Sequence, residues 1–207
     1  MDGLPAPTVS TSELAAAQPA PAQFSITTEH EVGGDVAEAL WALYQETMEP
    51  LDQVAAMKHL EERDVMFGRF ADPGIIKVIG WDGTEPVGLG LITNDFSLVG
   101  EISSEFFANR YPQHAERDAI FYGMAVLVKP TQRGMTMFSR IYIEMWQIPA
   151  RVGGVLIFDT CKFNRDNFAA DEIIGHIAAN FPNSEWSVID QQTWYVAELP
   201  EPLRPGA

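Results

Sequence analysis

Residues Ala125-Val-Leu-Val-Lys-Pro-Thr-Gln-Arg-Gly-Met-Thr-Met-Phe138 read as an apolar strand that breaks at Pro130 and passes through Arg133-Gly134 into a helix with an apolar stripe. Proline lacks the N–H that a strand ladder needs, so the strand ends there. The helix that follows opens with backbone N–H groups that have no internal acceptor and lie at the positive end of its dipole, which makes the turn a candidate anion cradle. Lys129 and Arg133 stand beside it.

Working outward, residues 120 to 128 are apolar on both faces, the pattern of a central strand in a sheet covered on both sides. The helix predicted from 134 to 147 carries Met137, Ile141, Met145 and Ile148 on one face, and Pro149 and Gly153-Gly154 end it. These methionines are expected in the core. Residues 155 to 158 predict a further buried strand, 167 to 180 a helix, and the neighbourhoods of 186 to 189 and 193 to 199 two terminal strands. Upstream, residues 75 to 81 and 87 to 93 flank Asp82-Gly83, the signature of a tight hairpin. A first strand is predicted over residues 23 to 28, followed by a helix that Asp35 caps in a box with Glu38, its stripe being Val36, Leu40, Leu43 and Tyr44. A second helix is predicted from 51 to 63 on Leu51, Val54, Ala55, Met57 and Leu60. Residues 94 to 118 are less regular and read as an insertion or lid with a short helix around 104 to 110.

The chain has 207 residues, of which 46% are hydrophobic, enough for one core without disulfides or metals. Its ends, residues 1 to 22 and 200 to 207, read as tails, the first rich in Ala, Pro, Ser and Thr and without the basic and apolar regions of a signal peptide. The expectation is a single domain over residues 23 to 199. No apolar run approaches the roughly 20 residues that span a bilayer. One cysteine, Cys161, excludes an internal disulfide and fits a cytoplasmic location. A net charge of −16 disfavours nucleic acid and anionic membrane as partners.

The order of elements is strand, two helices, hairpin, strand, helix, strand, helix and terminal strands: an α/β chain, or α+β mixed sheet, flanked by helices. This order, with Val126-Leu127-Val128-Lys129-Pro130 and then Arg133-Gly134, resembles the GNAT superfamily of acyl-CoA-dependent N-acetyltransferases over roughly residues 23 to 199. The resemblance implies a GNAT-like central mixed β-sheet and an enzyme that moves an acyl group from acetyl-CoA or another acyl-CoA to an amine, small or on a protein, with no metal. It implies that backbone groups around Val126, Leu127 and Val128 hold the pantetheine arm and the thioester carbonyl. The amides of Gln132, Arg133, Gly134, Met135, Thr136 and Met137 would then hold the pyrophosphate. The chain departs from the family's loop at Thr136 and Phe138, which stand where the second and third glycines are expected, so the loop is degenerate. Asn167-Phe168-Ala169-Ala170 matches the family's Asn-x-x-Ala, whose asparagine would bond the pantetheine arm, and the tyrosine expected one turn on falls at Ile174. Asn167 is equally a good N-cap for a helix.

The general base must sit near the thioester carbon, directly or through one water. Tyr122 on the central strand, Asp118 just before it, and His114 or Glu116 in the insertion are the candidates, with Tyr122 first for its position. The histidines at 30, 59, 114 and 176 show no zinc-ligand spacing, and no nucleophile elbow, Walker loop or Cys-x-x-Cys occurs. Thr136, Phe138 and Ile174 together leave a second reading open, in which a GNAT-fold protein has lost acetyl-CoA use and binds another ligand, an acyl carrier protein or a protein partner. A homodimer through the terminal strands or the insertion is compatible with the sequence.

Overall fold

Asp82-Gly83 does what its composition demands, with Gly83 at φ +64° closing the hairpin between β2 (Ile75–Asp82) and β3 (Glu85–Thr93). From this pair the sheet grows in both directions in a computed structural model that describes residues 24–57, 60–130 and 132–198, of 132–135 the backbone only. The two tails and His59 lie outside the described residues.

The sheet has five strands in the order β1-β2-β3-β4-β5, where β1 is Phe24–Glu29, β4 is Ile120–Val128 and β5 is Val155–Phe158. β1 to β4 pair antiparallel and β4 with β5 parallel, so the mixed sheet expected from the element order is present. The parallel pair is joined by α5 (Gln132–Ala150), the helix after the Pro130 turn. Helix α1 (Gly34–Met48) and α2 (Arg63–Ala71) cover one face of the sheet. There Leu40, Leu43, Met66 and Phe70 pack with Ile79, Leu89, Leu91 and Leu127. Helix α5 covers the other face with Met137, Ile141 and Met145 against Val78, Ile92 and Phe121.

Three glycines in the strands explain how closely α5 lies. A Cβ on Gly80 would stand 2.3 Å from Met137 Sδ, one on Gly88 2.5 Å from Ile141 Cδ1, and one on Gly90 2.5 Å from Met145 Sδ. The helix side chains occupy space that strand side chains would otherwise fill.

Residues 94 to 118 fold as a 3-10 turn at Phe96–Leu98, then α3 (Ser104–Arg110) and α4 (Pro112–Ala115). Ser103 caps α3, its hydroxyl accepting from the Phe106 N–H at 3.2 Å. Val99 and Phe107 join Ile120, Tyr122 and Ile157 in a further apolar cluster. After β5 come α6 (Lys162–Asn167) and α7 (Ala170–Ala178).

The structure corrects several local expectations. The helix predicted over 51 to 63 is a 3-10 turn at Glu49–Gln53, with Val54 at 48% and Met57 at 46% exposure. Its apolar spacing has no surface to cover, because α1 and α2 already occupy that face. Gly33 rather than Asp35 is the N-cap of α1, without a side-chain bond, and Glu38 instead pairs with Arg63. The single helix predicted over 167 to 180 is broken at Ala169, at φ +48°, into α6 and α7. Residues 183 to 198 form no strand, because strand-forming side chains express their preference only on a half-buried pleated surface and this segment has none.

Candidate functional site

Ladder bonds between β4 and β5 stop at Gly123 and Phe158, while β4 runs on to Val128. The two parallel strands therefore part at their carboxyl ends, the place where open α/β sheets take ligands. On its other side β4 is still paired with β3 through Val128 and Gly88, so the edge of Met124 to Val128 that faces the gap carries unpaired N–H and C=O groups. A bulge marks the same spot. Leu91 pairs with Ala125 and Ile92 with Gly123, which leaves Met124 as the extra residue of β4. Met124 and Ala125 consequently both pack on the α1 and α2 side.

The gap holds a cavity of about 50 Å³ between Met124 to Val126, Tyr142 of α5, and Phe158 and Asp159 after β5. A water needs roughly 10–15 Å³ on this measure, so the space suits an acetyl-sized group rather than a whole cofactor arm. The Tyr142 ring lies 4.9 Å from that of Phe138 and 5.8 Å edge-on from Phe158, so an aromatic row runs from the start of α5 across to β5. Phe138 is half-buried in that row and does not itself line the cavity.

Tyr122 projects from the paired half of β4, and its hydroxyl donates to Asp159 Oδ1 at 2.5 Å. Burial, reinforced by the Asp159 charge, raises the Tyr122 phenol well above its ordinary pKa. A phenol so held keeps its proton at neutral pH, and Asp159, exposed at the mouth of the gap, is the proton acceptor of the pair. Burial also pushes Tyr142 up to about 12, with the Asp159 charge adding to it. Both tyrosines are thus neutral near Asp159, and Tyr122 is the one that donates to it.

The other residues singled out in the sequence fall in several places. Val126, Leu127 and Val128 lie on the unpaired edge, their side chains packed into the core on alternate faces. Met137 is buried beneath the sheet and Thr136 is exposed, and both belong to the first turns of α5. The side chains of Gln132, Arg133, Gly134 and Met135 lie outside the described residues, though their backbone opens α5. The Lys129 ammonium pairs with Glu85.

His114 and Asp118 are not brought to the gap. They precede β4, at the opposite end of that strand from the gap. The Asp118 carbonyl accepts from Asn94 Nδ2 at 2.8 Å, and the residue borders a separate cavity of about 150 Å³ with Phe107 and Ile120. Asn167 ends α6 instead of capping the next helix, and its Nδ2 donates to the Phe163 carbonyl at 2.8 Å. Ile174, where the family tyrosine is expected, is buried in α7. Tyr142 and Asp159 were missed by the sequence reading. The available signals were a tyrosine one helical turn after Phe138 and a carboxylate directly after a buried strand.

No group of His, Cys, Asp and Glu side chains fit to hold a metal is gathered among the described residues, and no described helix is long and apolar enough to cross a membrane. No protein-family model matches the chain and no curated protein sequence matches it. Among solved structures it is similar to the aminoglycoside N-acetyltransferase AAC(6')-Iy in complex with CoA, at a TM-score of 0.50 and 11% identity, over 84% of this chain and 98% of that one. It is also similar to the aminoglycoside acetyltransferase meta-AAC0020, from an uncultured soil metagenomic sample, in complex with sisomicin. There the TM-score is 0.48 and the identity 9%, over 84% and 97% of the two chains. The first likeness covers nearly all of the enzyme it matches, and with the parted parallel strands it shows that this chain has the fold of the GNAT N-acetyltransferases.

Proposed function

We propose that the protein is an N-acyltransferase that moves an acyl group from acetyl-CoA, or another acyl-CoA, to an amine. The observation that carries this reading is the unpaired edge of β4 opening on an acetyl-sized cavity beside Asp159. An extended donor arm can add to that edge as a strand would, leaving a backbone N–H aimed at the thioester oxygen, where negative charge develops during attack. Asp159 is placed to take the proton that the attacking nitrogen must lose. As the C–S bond breaks, its electron pair goes to sulfur, and Tyr142, held neutral by burial, can supply the proton. In this scheme Tyr122 positions the Asp159 carboxylate. The coenzyme's phosphates fall toward the N-terminus of α5, which offers unpaired backbone donors. The acidic surface suits a cationic amine, and a cytoplasmic location fits a CoA-dependent reaction.

The test is thermal unfolding with and without 1 mM acetyl-CoA, followed by CoA thiol release in the presence of a polyamine, an aminoglycoside and a lysine peptide. For a dissociation constant near 10 μM the linkage is about 2.7 kcal/mol, a rise in Tm of roughly 5–10 °C. No rise and no thiol release with any donor overturns the proposal.

The aromatic row supports a second reading, a GNAT-fold protein that no longer admits CoA and binds another ligand, an acyl carrier or a protein partner. Phe138 and Tyr142 of α5 and Phe158 of β5 form an aromatic row beside the gap, and Asn167 is engaged within α6. A wild-type chain that ignores acetyl-CoA, with a Phe138→Ala variant that gains a Tm response, favours this reading over the first.

A further inference from the structure

The strand glycines fall into two kinds. At Gly80, Gly88 and Gly90 the place of the missing side chain is taken by Met137, Ile141 and Met145 of α5. At Gly123 it is left open. A Cβ there would lie 3.4 Å from Met145 Cε, 3.6 Å from Phe158 Cβ and 3.7 Å from the Ile157 carbonyl oxygen, ordinary contact distances that a methyl accepts without displacing a neighbour. Nor does the backbone ask for glycine, because Gly123 is not among the residues of positive φ. What the glycine supplies is room.

That room belongs to the cavity in the gap. Gly123 and Phe158 form the last rung of the β4 and β5 ladder, so the space that opens beyond them is closed at this end, and both residues line it. Met145 closes the floor from α5. It is buried, with Sδ in the place of the side chain that Gly90 lacks and Cε toward Gly123. Tyr142 stands three residues earlier on the same face of the helix and walls the cavity nearer the start of α5. A donor arm along the edge of Met124 to Val128, with its phosphates toward the start of α5, therefore points its acyl end at Gly123.

On the acyltransferase reading above, we infer that Gly123 and Met145 gauge the length of the acyl chain. At roughly 10–15 Å³ for each water-sized group, a cavity of about 50 Å³ holds three or four heavy atoms. An acetyl group has three, a propionyl group four and a hexanoyl group seven. The open place at Gly123 receives the terminal methyl, and the Met145 thioether stops longer chains. Methionine is unbranched and flexible, so this stop sits on a side chain that substitution can shorten without moving the strands.

The test is calorimetric titration of the full chain with CoA, acetyl-CoA, propionyl-CoA and hexanoyl-CoA. The wild-type chain is expected to bind acetyl- and propionyl-CoA at least about tenfold more tightly than hexanoyl-CoA. Gly123→Ala should weaken propionyl-CoA by about tenfold, since its methyl fills the place the chain end needs, while CoA, which has no acyl group, binds as before. Met145→Ala should act in reverse and tighten hexanoyl-CoA by about tenfold. Should Met145→Ala fail to fold, Gly123→Ala decides alone, its methyl meeting only ordinary contacts. A wild-type chain that binds CoA and all three acyl-CoAs alike overturns the inference and leaves the acyltransferase reading standing. So does a Gly123→Ala variant that keeps its affinity for propionyl-CoA, or loses CoA to the same degree. A wild-type chain that binds neither CoA nor any acyl-CoA overturns both.

Discussion

Lys77 is fully buried in β2, its ammonium donating to the His30 carbonyl at 2.8 Å and the Asp72 carbonyl at 2.6 Å. Burial lowers its pKa to about 8, against the opposing pull of the Asp72 and Glu31 carboxylates. Below pH 8 both folded and unfolded chains carry the proton, and the folded state bears the full cost of the buried charge. Between pH 8 and about 10.4 the unfolded chain binds the proton more tightly, so this residue makes stability rise with pH. Above about pH 10 the raised phenols of Tyr44, Tyr122 and Tyr142 act in the other direction, since the unfolded chain loses those protons first. Urea unfolding at pH 7.5 and 9.5 should show a gain of about 1 kcal/mol at the higher pH after allowing for solvent screening. Lys77→Met should remove that gain.

At the scale of elements, the contact between α5 and the sheet depends on strand glycines. Gly90→Ala would bring a methyl to 2.5 Å from Met145 Sδ and 2.8 Å from Ile141 Cγ2, neither of which can retreat without disturbing the core. The expected loss is about 1–3 kcal/mol, read from the midpoint of chemical denaturation at unchanged slope. Both α5 and the β2 and β3 hairpin were legible in the sequence, because a helical stripe and a period-2 run around Asp-Gly are local patterns. The stretch from 51 to 63 misled for the complementary reason: apolar spacing says which face a helix would bury, not whether a surface exists to receive it. The same holds for 186 to 199, where strand composition is evident and the pairing partner is not. The candidate site was legible in part. Val126 to Val128 and the turn into α5 are contiguous, whereas the gap depends on where β5 stops pairing, and Asp159 meets Tyr122 only through that register. Asp118 and His114 were attractive by proximity in the chain, but β4 carries them to the wrong end.

At the scale of the whole molecule, a charge of −16 keeps copies apart at low salt and makes any self-association sensitive to ions. The order of strands in the sheet is also their order in the chain. The β2 and β3 hairpin closes the shortest loop and should form first. β4 can join it after the short helical segment of 94 to 118, whereas β1 must wait for α1 and α2, and β5 for the long crossover through α5. With its four residues and one paired neighbour, β5 is the least secured part of the sheet. Native-state exchange should therefore find its amides opening at the lowest free energy, ahead of β2 and β3. The cleft between β4 and β5 then has one firm wall and one that breathes, so the rate at which a ligand enters or leaves would be set by the fraying of a short strand rather than by a separate lid.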